Sequence, residues 1–198
     1  MTSSDERIKL FLLNNLAVEA SLRSVLKSHG VVPEHTAVEK AADELIGGYV
    51  AQFSLSSRNE AKRMSEYYEL FHMFENSIRD LILDTLAASE PVGWWEKLVP
   101  SVVRANAKNN CEKEMNEGYS RRSERLIDYT TFGELGEIIK SNWAIFGGIF
   151  SRGSILSVEK IMSRLNLLRG PIAHCGTLSE DEVLRLKLTV RDWYKLME

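Results

Sequence analysis

An arginine and a histidine near the end of the chain have the types and spacing that phosphodiester chemistry needs. Arg169 and His174 lie five residues apart in the segment Arg-Gly-Pro-Ile-Ala-His-Cys-Gly. A guanidinium group matches the oxygens of a phosphate, and an imidazole exchanges protons near neutral pH. On an unbroken helix five residues turn about 500°, which would leave the two side chains roughly 140° apart. Because Pro171 can kink or end a helix, we expect it to aim both side chains at one pocket.

Spacing alone leaves other interpretations of this segment open. A histidine near a helix end is often a capping or surface residue. A thiol nucleophile at Cys175 is disfavoured, because adjacent side chains diverge and no third group is placed to orient it. The four histidines are too dispersed for a metal site, and the two cysteines lack the pairing that zinc sites show. The sequence therefore predicts neither a metal nor a cofactor.

A second candidate group lies in the first half of the chain. Glu75 and Arg79 are spaced i to i+4 with the acid first, the favourable order for an ion pair on a helix. If exposed, such a pair contributes only about 0.3–0.5 kcal/mol. Their position beside a dense aromatic face suggests an orienting role, and ordinary decoration of a helix surface remains the alternative.

Basic residues indicate where a polyanion could bind. The whole chain carries a net charge of −3, which excludes binding of nucleic acid through overall charge. Residues 1–100 contain 10 basic and 15 acidic residues, whereas residues 101–198 contain 15 and 13. We therefore expect any polyanion site in the second half, with a solvated helix face as the alternative. The candidate RNA-binding residues there are Arg121, Arg122, Arg125 and Arg164.

Composition and periodicity define the elements that must position these residues. The 198 residues are 44% hydrophobic and 27% charged, as in an ordinary globular protein, and only 4 are proline and 12 glycine. So few turn-forming residues argue against a sandwich or barrel, so we expect an all-α fold. A long central helix is predicted from Glu60 to about Ala88, where no Gly or Pro occurs. Capping boxes at Thr131 and Ser179 predict the starts of later helices.

The N-terminal part is predicted to be a separate piece. Helical spacing predicts one helix ending near Gly30 and a second, shorter one ending near Gly47-Gly48. The polar stretch Ser54–Asn59 is typical of a linker. The expected domains are thus a helical extension at 1–58, suited to docking or oligomer contacts, and a helical domain at 59–198.

No segment has the character of a membrane or secretory element. The longest apolar runs, such as 144–150, are far shorter than the roughly 20 residues that a membrane-spanning helix needs. The first six residues lack a basic region followed by an apolar one. We therefore expect a cytoplasmic protein that does not associate with membranes.

Several segments together resemble a known family. Arg169 and His174, late in an all-α domain and after a helix bearing Glu75, are similar to the motif pair of the HEPN superfamily (higher eukaryotes and prokaryotes nucleotide-binding). Segments 94–97, 126–135 and 168–176 resemble the branch named after the C-terminal domain of the Swt messenger-RNA surveillance endoribonuclease. The resemblance covers roughly residues 65–197.

This resemblance implies a HEPN-like helical bundle with a small N-terminal helical hairpin. It also implies a metal-independent endoribonuclease in which two protomers bring their Arg-x4-6-His motifs together. His174 would act as general base or acid while the ribose 2′-hydroxyl attacks phosphorus, and Arg169 would stabilise charge on the phosphate. The long helix of such proteins supplies supporting polar residues, here Glu75, Asn76 and Arg79.

One residue of the motif segment departs from the usual pattern of the family. Relatives often carry Asn, Asp or His after the motif arginine, where this chain has Gly170.

The leading hypothesis is a homodimeric RNase of a prokaryotic conflict system, a toxin or antiviral effector restrained by an antitoxin or regulatory protein. The alternatives are a non-catalytic HEPN module that binds RNA or nucleotides, and a structural adaptor that docks through its N-terminal hairpin.

Overall fold

The computed structural model describes residues 46–198 of the chain. Between residues 55 and 197 it contains seven α-helices and one 3-10 helix, and residues 46–198 contain no β-strand. In chain order the elements are α1 (Leu55–Ser89), α2 (Trp94–Leu98), α3 (Ser101–Asn116), the 3-10 helix η1 (Leu126–Tyr129), α4 (Phe132–Ser141), α5 (Trp143–Phe146), α6 (Ile155–Ala173) and α7 (Glu180–Met197). The prediction of an all-α fold is confirmed.

The long central helix forms as its apolar stripe predicts. Residues three and four apart on a helix share a face, and the stripe of α1 places such residues in the core. Its buried apolar residues are Phe71, Phe74, Ile78, Ile82 and Leu86. The helix begins at Leu55, however, so the prediction of a linker at Ser54–Asn59 is wrong. The Ser54 Oγ accepts a hydrogen bond from the Ser57 N–H at 3.1 Å, so this serine caps a helix start.

Aromatic contacts join α1 to the helices that follow it. Phe71 packs on Phe132 of α4 with ring centroids 5.2 Å apart. Phe74 meets the edge of Trp193 of α7 at 5.7 Å, and Trp193 also contacts Phe150 at 5.0 Å. Such pairs contribute about 0.5–1.5 kcal/mol each beyond the burial of their area. Because α6 packs against both α4 and α7, these contacts also fix α6 relative to α1.

The helix starts in this region use local side-chain caps. At the start of α7, the Ser179 N–H donates to a Glu182 carboxylate oxygen at 2.7 Å, and the Glu182 N–H donates to the Ser179 hydroxyl at 3.3 Å. At the start of α4, the Thr131 N–H donates to Glu134 at 2.7 Å. Both capping motifs were predicted from the sequence, and they set where α4 and α7 begin.

The N-terminal predictions are only partly within the described residues. The two predicted helices up to residue 45 lie outside them, and the division into domains at 58 and 59 stays a prediction. Residues 46–50 are helical, so the helix ends at Val50, two residues beyond the predicted end near Gly47-Gly48. A glycine disfavours a helix interior by only about 1 kcal/mol relative to alanine, which a helix can tolerate. No helix within residues 46–198 is both long and apolar enough to cross a membrane.

Candidate active site

A cavity of about 600 Å³ opens between α1, the segment around η1 and the C-terminal part of α6. Three parts of the chain line it. Helix α1 contributes Tyr68, Phe71, His72, Glu75, Asn76 and Arg79. The segment around η1 contributes Arg122, Ser123, Arg125, Asp128, Tyr129, Thr130 and Thr131, with Asn110 from α3. Helix α6 contributes Arg169, Ile172 and Ala173.

Helical spacing explains why α1 presents these polar residues together. Most of the α1 positions that line the cavity are three or four residues apart, so they share one side of the helix next to the buried stripe. The aromatic contacts of that stripe hold the helix in place. The polar side is therefore turned toward η1 and α6 at a fixed angle.

Glu75 lies at the centre of the cavity wall. One of its carboxylate oxygens accepts a hydrogen bond from Arg79, and the other accepts one from the Nε of Arg169 at 3.1 Å. The side chains of Glu75 and Arg79 are each only 11% exposed. Arg79 also donates to Asn76 and to the backbone carbonyl of Thr130, each at 3.2 Å. A nearly buried carboxylate thus bridges two guanidinium groups and links α1 to α6, while Arg79 links α1 to the segment around η1.

The part of the chain that the structure describes holds the Arg169 guanidinium at one nitrogen only. Its Nε is occupied by Glu75, whereas neither terminal nitrogen has a hydrogen-bond partner within residues 46–198. The side chain is 37% exposed and lines the cavity. A guanidinium held at one nitrogen can present the others to an anion without losing its orientation.

His174 lies in different surroundings. It is the C-cap of α6, is exposed to solvent and does not line the cavity. Beyond it the chain turns in a Schellman-type cap, in which the Gly176 N–H donates to the Pro171 carbonyl at 2.7 Å. Cys175, between them, has a left-handed backbone with φ of 56°. Within one chain, the expectation that both motif residues point into one pocket is therefore wrong.

The continuity of α6 explains this divergence. The helix runs through Pro171 to Ala173, so the proline neither ends it nor redirects Arg169. Gly170 lacks the Cβ that normally clashes with the ring of a following proline, so it can stay helical. The amide that proline lacks would have bonded to the carbonyl of Leu167, a residue 76% exposed, where water can replace it. The side chains of Arg169 and His174 therefore point roughly 140° apart, as expected on an unbroken helix.

The predicted RNA-binding arginines divide into two groups. Arg122 and Arg125 line the cavity, whereas Arg121 and Arg164 are exposed outside it. Arg122 lies 4.7 Å from the centre of the Tyr129 ring. Hydrogen bonds to the carboxylates of Asp128 and Asp80 raise the pKa of Arg125 above its ordinary value, so this residue stays charged.

The cavity is positively charged although the chain as a whole is acidic. The residues that line it include four arginines and two carboxylates, a net charge of +2 against −3 for the complete sequence. Two of these arginines, Arg122 and Arg125, also pair with Glu114 and Asp80 outside the lining. Clefts of one charge sign concentrate oppositely charged ligands. The arrangement can hold an anion of the size of a nucleotide phosphate.

Sequence reasoning missed part of this wall. Tyr68 and His72 of α1 line the cavity, as do Asn110, Ser123 and Asp128 from elsewhere. Continuing the helical spacing backward from Glu75 by three and seven residues would have found the first two. The other three belong to segments brought in by tertiary packing, for which no local pattern exists.

The fold and cavity define an all-α domain with a basic site shared by a long central helix and a late helix carrying an Arg-x-x-x-x-His motif. A family model described as Swt1-like HEPN matches residues 69–198. The chain belongs to this Swt1-like HEPN family, which confirms the resemblance drawn from the sequence. No curated protein and no solved structure matches the chain.

Proposed function

We propose that this chain is an endoribonuclease that cleaves RNA without a metal ion, using Arg169 and His174. The observation that carries the proposal is the state of Arg169. Its Nε donates to a nearly buried Glu75, its terminal nitrogens have no protein partner in residues 46–198, and the side chain lines a basic cavity. Membership of the Swt1-like HEPN family supports RNA as the substrate.

The reaction is an internal transfer at phosphorus. The ribose 2′-oxygen bonds to the adjacent phosphorus, the bond to the 5′-oxygen breaks, and a 2′,3′-cyclic phosphate and a free 5′-hydroxyl result. His174 removes the proton from the 2′-hydroxyl or donates one to the departing 5′-oxygen. Arg169 stabilises the charge that develops on the phosphate oxygens, for which a preorganised donor contributes about 10²–10³ in rate. Glu75, Asn76 and Arg79 hold Arg169 in place.

The site is completed by a second copy of the chain. His174 lies outside the cavity of its own protomer, so the imidazole that serves each cavity comes from the partner of a homodimer. The exposed side of α6 suits such an interface. Leu156 is 70% exposed and Leu167 is 76% exposed. Helical spacing places both on the same side as His174. Burying this face would bring the histidine to the dimer contact, and Leu167→Glu should shift the protein toward monomer in analytical ultracentrifugation.

A cleavage assay tests the chemistry. Purified protein is incubated with total RNA in EDTA, and the product ends are analysed for cyclic phosphate. We expect cleavage by the wild type and a loss of about 100-fold or more for Arg169→Ala and His174→Ala. Arg191→Ala, which removes an exposed arginine on α7 outside the cavity, should leave the rate unchanged. Intact RNA, or equal cleavage after His174→Ala, would overturn the proposal.

The biological role that we propose is defence or toxicity in a prokaryotic conflict system, exerted in the cytoplasm and restrained by an antitoxin or regulatory protein. Membership of the Swt1-like HEPN family and a basic cavity that can hold an anion support it. Induced expression in a bacterium should arrest growth, and His174→Ala should abolish the arrest. Equal growth of cells that express the wild type and the variant would contradict this role.

A second candidate is a non-catalytic module that binds RNA or a nucleotide. Two observations favour it: Gly170 supplies no side chain after the motif arginine, and His174 is outside the cavity. This function predicts saturable, salt-sensitive binding that Arg169→Ala weakens and His174→Ala does not, with no cleavage. Equal affinity of both variants and the wild type would count against it.

A further inference from the structure

Two aromatic side chains of α1 form a ledge in the cavity. Tyr68 and His72 are one helical turn apart, and their rings stack with centroids 5.9 Å apart and planes inclined by 29°. Both line the cavity, and Tyr68 is 59% exposed. Its neighbour Tyr67, in contrast, packs against the hydrophobic core. The ledge therefore leaves aromatic surface open to the cavity, and this surface is available to a ligand.

The ledge and the basic groups share one space. The face of α1 that carries Tyr68 and His72 continues through Glu75, which holds Arg169. The cavity thus offers π-faces together with guanidinium nitrogens that have no partner in residues 46–198. Its volume of about 600 Å³ is within the range of small-molecule sites. A nucleotide presents the matching chemistry, because a flat base is joined to a phosphate.

Base pairing decides which nucleic acid can use such a ledge. In a duplex the faces of each base are covered by its neighbours, so they cannot lie on a protein side chain. Bases of single-stranded loops and ends can be turned outward and stacked on tyrosine or histidine. The ledge therefore fits an unpaired base and discriminates against a continuous duplex.

We propose that Tyr68 and His72 form a stacking site for one unpaired nucleobase of an RNA strand whose neighbouring phosphate is bound by Arg169. The choice of RNA rests on the proposed function. Binding at the ledge is nevertheless separate from cleavage, since it requires no proton transfer. The site limits the substrate class to single-stranded segments and places the cut next to the stacked base.

The test measures affinity without cleavage. A short fluorescent single-stranded RNA carrying 2′-O-methyl groups, which block the attacking hydroxyl, is titrated with the full chain and followed by anisotropy. We expect Tyr68→Ala to bind about tenfold more weakly, as for loss of a stacked base elsewhere. Tyr68→Phe and His72→Phe keep aromatic faces and should bind within about twofold of the wild type. Tyr119→Ala, which removes a 67% exposed tyrosine outside the cavity, should change nothing.

Two further arms sharpen the result. An RNA with one abasic nucleotide at the stacked position should bind the wild type about tenfold more weakly than intact RNA does. The Tyr68→Ala variant should bind the abasic and the intact RNA equally well. A blunt duplex of the same sequence should bind the wild type and Tyr68→Ala equally. Because Tyr68 is largely exposed, thermal unfolding of Tyr68→Ala should match the wild type, which excludes misfolding as the cause.

Other outcomes overturn the stacking site. They include Tyr68→Ala binding within about twofold of the wild type, Tyr68→Phe binding as weakly as Tyr68→Ala, and no binding of the single strand by the wild type. The proposed function fails separately. If RNA stays intact in EDTA while the Tyr68 effect on affinity persists, the nuclease assignment falls and the stacking site stands. If RNA is cleaved and Tyr68→Ala leaves KM unchanged, the nuclease assignment stands and the stacking site falls.

Discussion

The two ends of the Arg-x-x-x-x-His segment have opposite surroundings. Arg169 is tied across the domain to Glu75 of α1 and lines the basic cavity. His174, only five residues later, lies exposed beyond the last turn of α6 and outside that cavity. The arginine is positioned by tertiary contacts, whereas the backbone cap at the helix end sets the position of the histidine. One end of the motif is held in place within a single chain, and in the proposed mechanism the other acts in the cavity of a partner.

The largest effect should come from removing the Glu75 carboxylate, which holds Arg169 in the cavity wall. Glu75→Ala leaves the nearly buried Arg79 without its carboxylate and releases Arg169. Breaking such a pair from one side typically destabilises a protein by about 3 kcal/mol. We expect that loss in urea unfolding, together with loss of RNA cleavage. Glu112→Ala, which removes an exposed ion pair with Lys108, should change stability by about 0.5 kcal/mol at most. A change below about 1 kcal/mol for Glu75→Ala would show that the bridge does not organise the site.

Substituting the motif residues themselves separates binding from proton transfer. Arg169→Ala should weaken RNA binding and lower kcat by about 100-fold, because a phosphate ligand is lost. His174→Ala should lower kcat by about as much while KM stays near that of the wild type. Its unfolding free energy should stay within about 0.5 kcal/mol of the wild type, since the side chain is exposed. Steady-state kinetics measure kcat and KM, and urea unfolding measures the free energy of unfolding. A raised KM for His174→Ala would instead show that the imidazole contributes to substrate binding.

Two neighbouring arginines test whether the cavity is the RNA site. Arg122 lines it and Arg121 does not, although they are adjacent in sequence. Arg122→Ala should reduce the slope of log affinity against log salt by about one unit, as for the loss of one phosphate contact. Arg121→Ala should leave the slope unchanged. Equal slopes for both variants would show that RNA does not bind in the cavity.

The smallest effect concerns the turn that carries His174. Cys175 adopts a left-handed backbone that glycine adopts without strain. Cys175→Gly should therefore raise the unfolding free energy by about 1 kcal/mol. Cleavage should persist, because the thiol has no part in the proposed reaction. Loss of cleavage with folding intact would instead assign the thiol a chemical role.

Local patterns predicted much of the fold and only part of the site. The apolar stripe predicted α1, and the Ser179 and Glu182 spacing predicted the start of α7, because these features depend on neighbouring residues. The pairing of Glu75 with Arg79 followed from the same periodicity. The second bond from Glu75, to Arg169, spans 94 residues and depends on how α1 and α6 pack. No spacing rule could have supplied it.

The error at Pro171 has a similar origin. A proline in the last turn of a helix was expected to end the helix or kink it. Here Gly170 removes the steric conflict, and the missing hydrogen bond concerns the carbonyl of the exposed Leu167, so the helix continues. The outcome depended on the residue before the proline and on which side of α6 faces solvent. The second of these is set by tertiary packing.

The central claim is that Arg169 of one protomer and His174 of its partner act at one phosphate. Equal amounts of Arg169→Ala and His174→Ala chains, unfolded and refolded together, form mixed dimers in which one of the two sites has both residues intact. RNA cleavage in EDTA should then return to about a quarter of the wild-type rate, since half of the dimers are mixed and each has one working site. A mixture that stays as inactive as either variant alone would contradict the shared site.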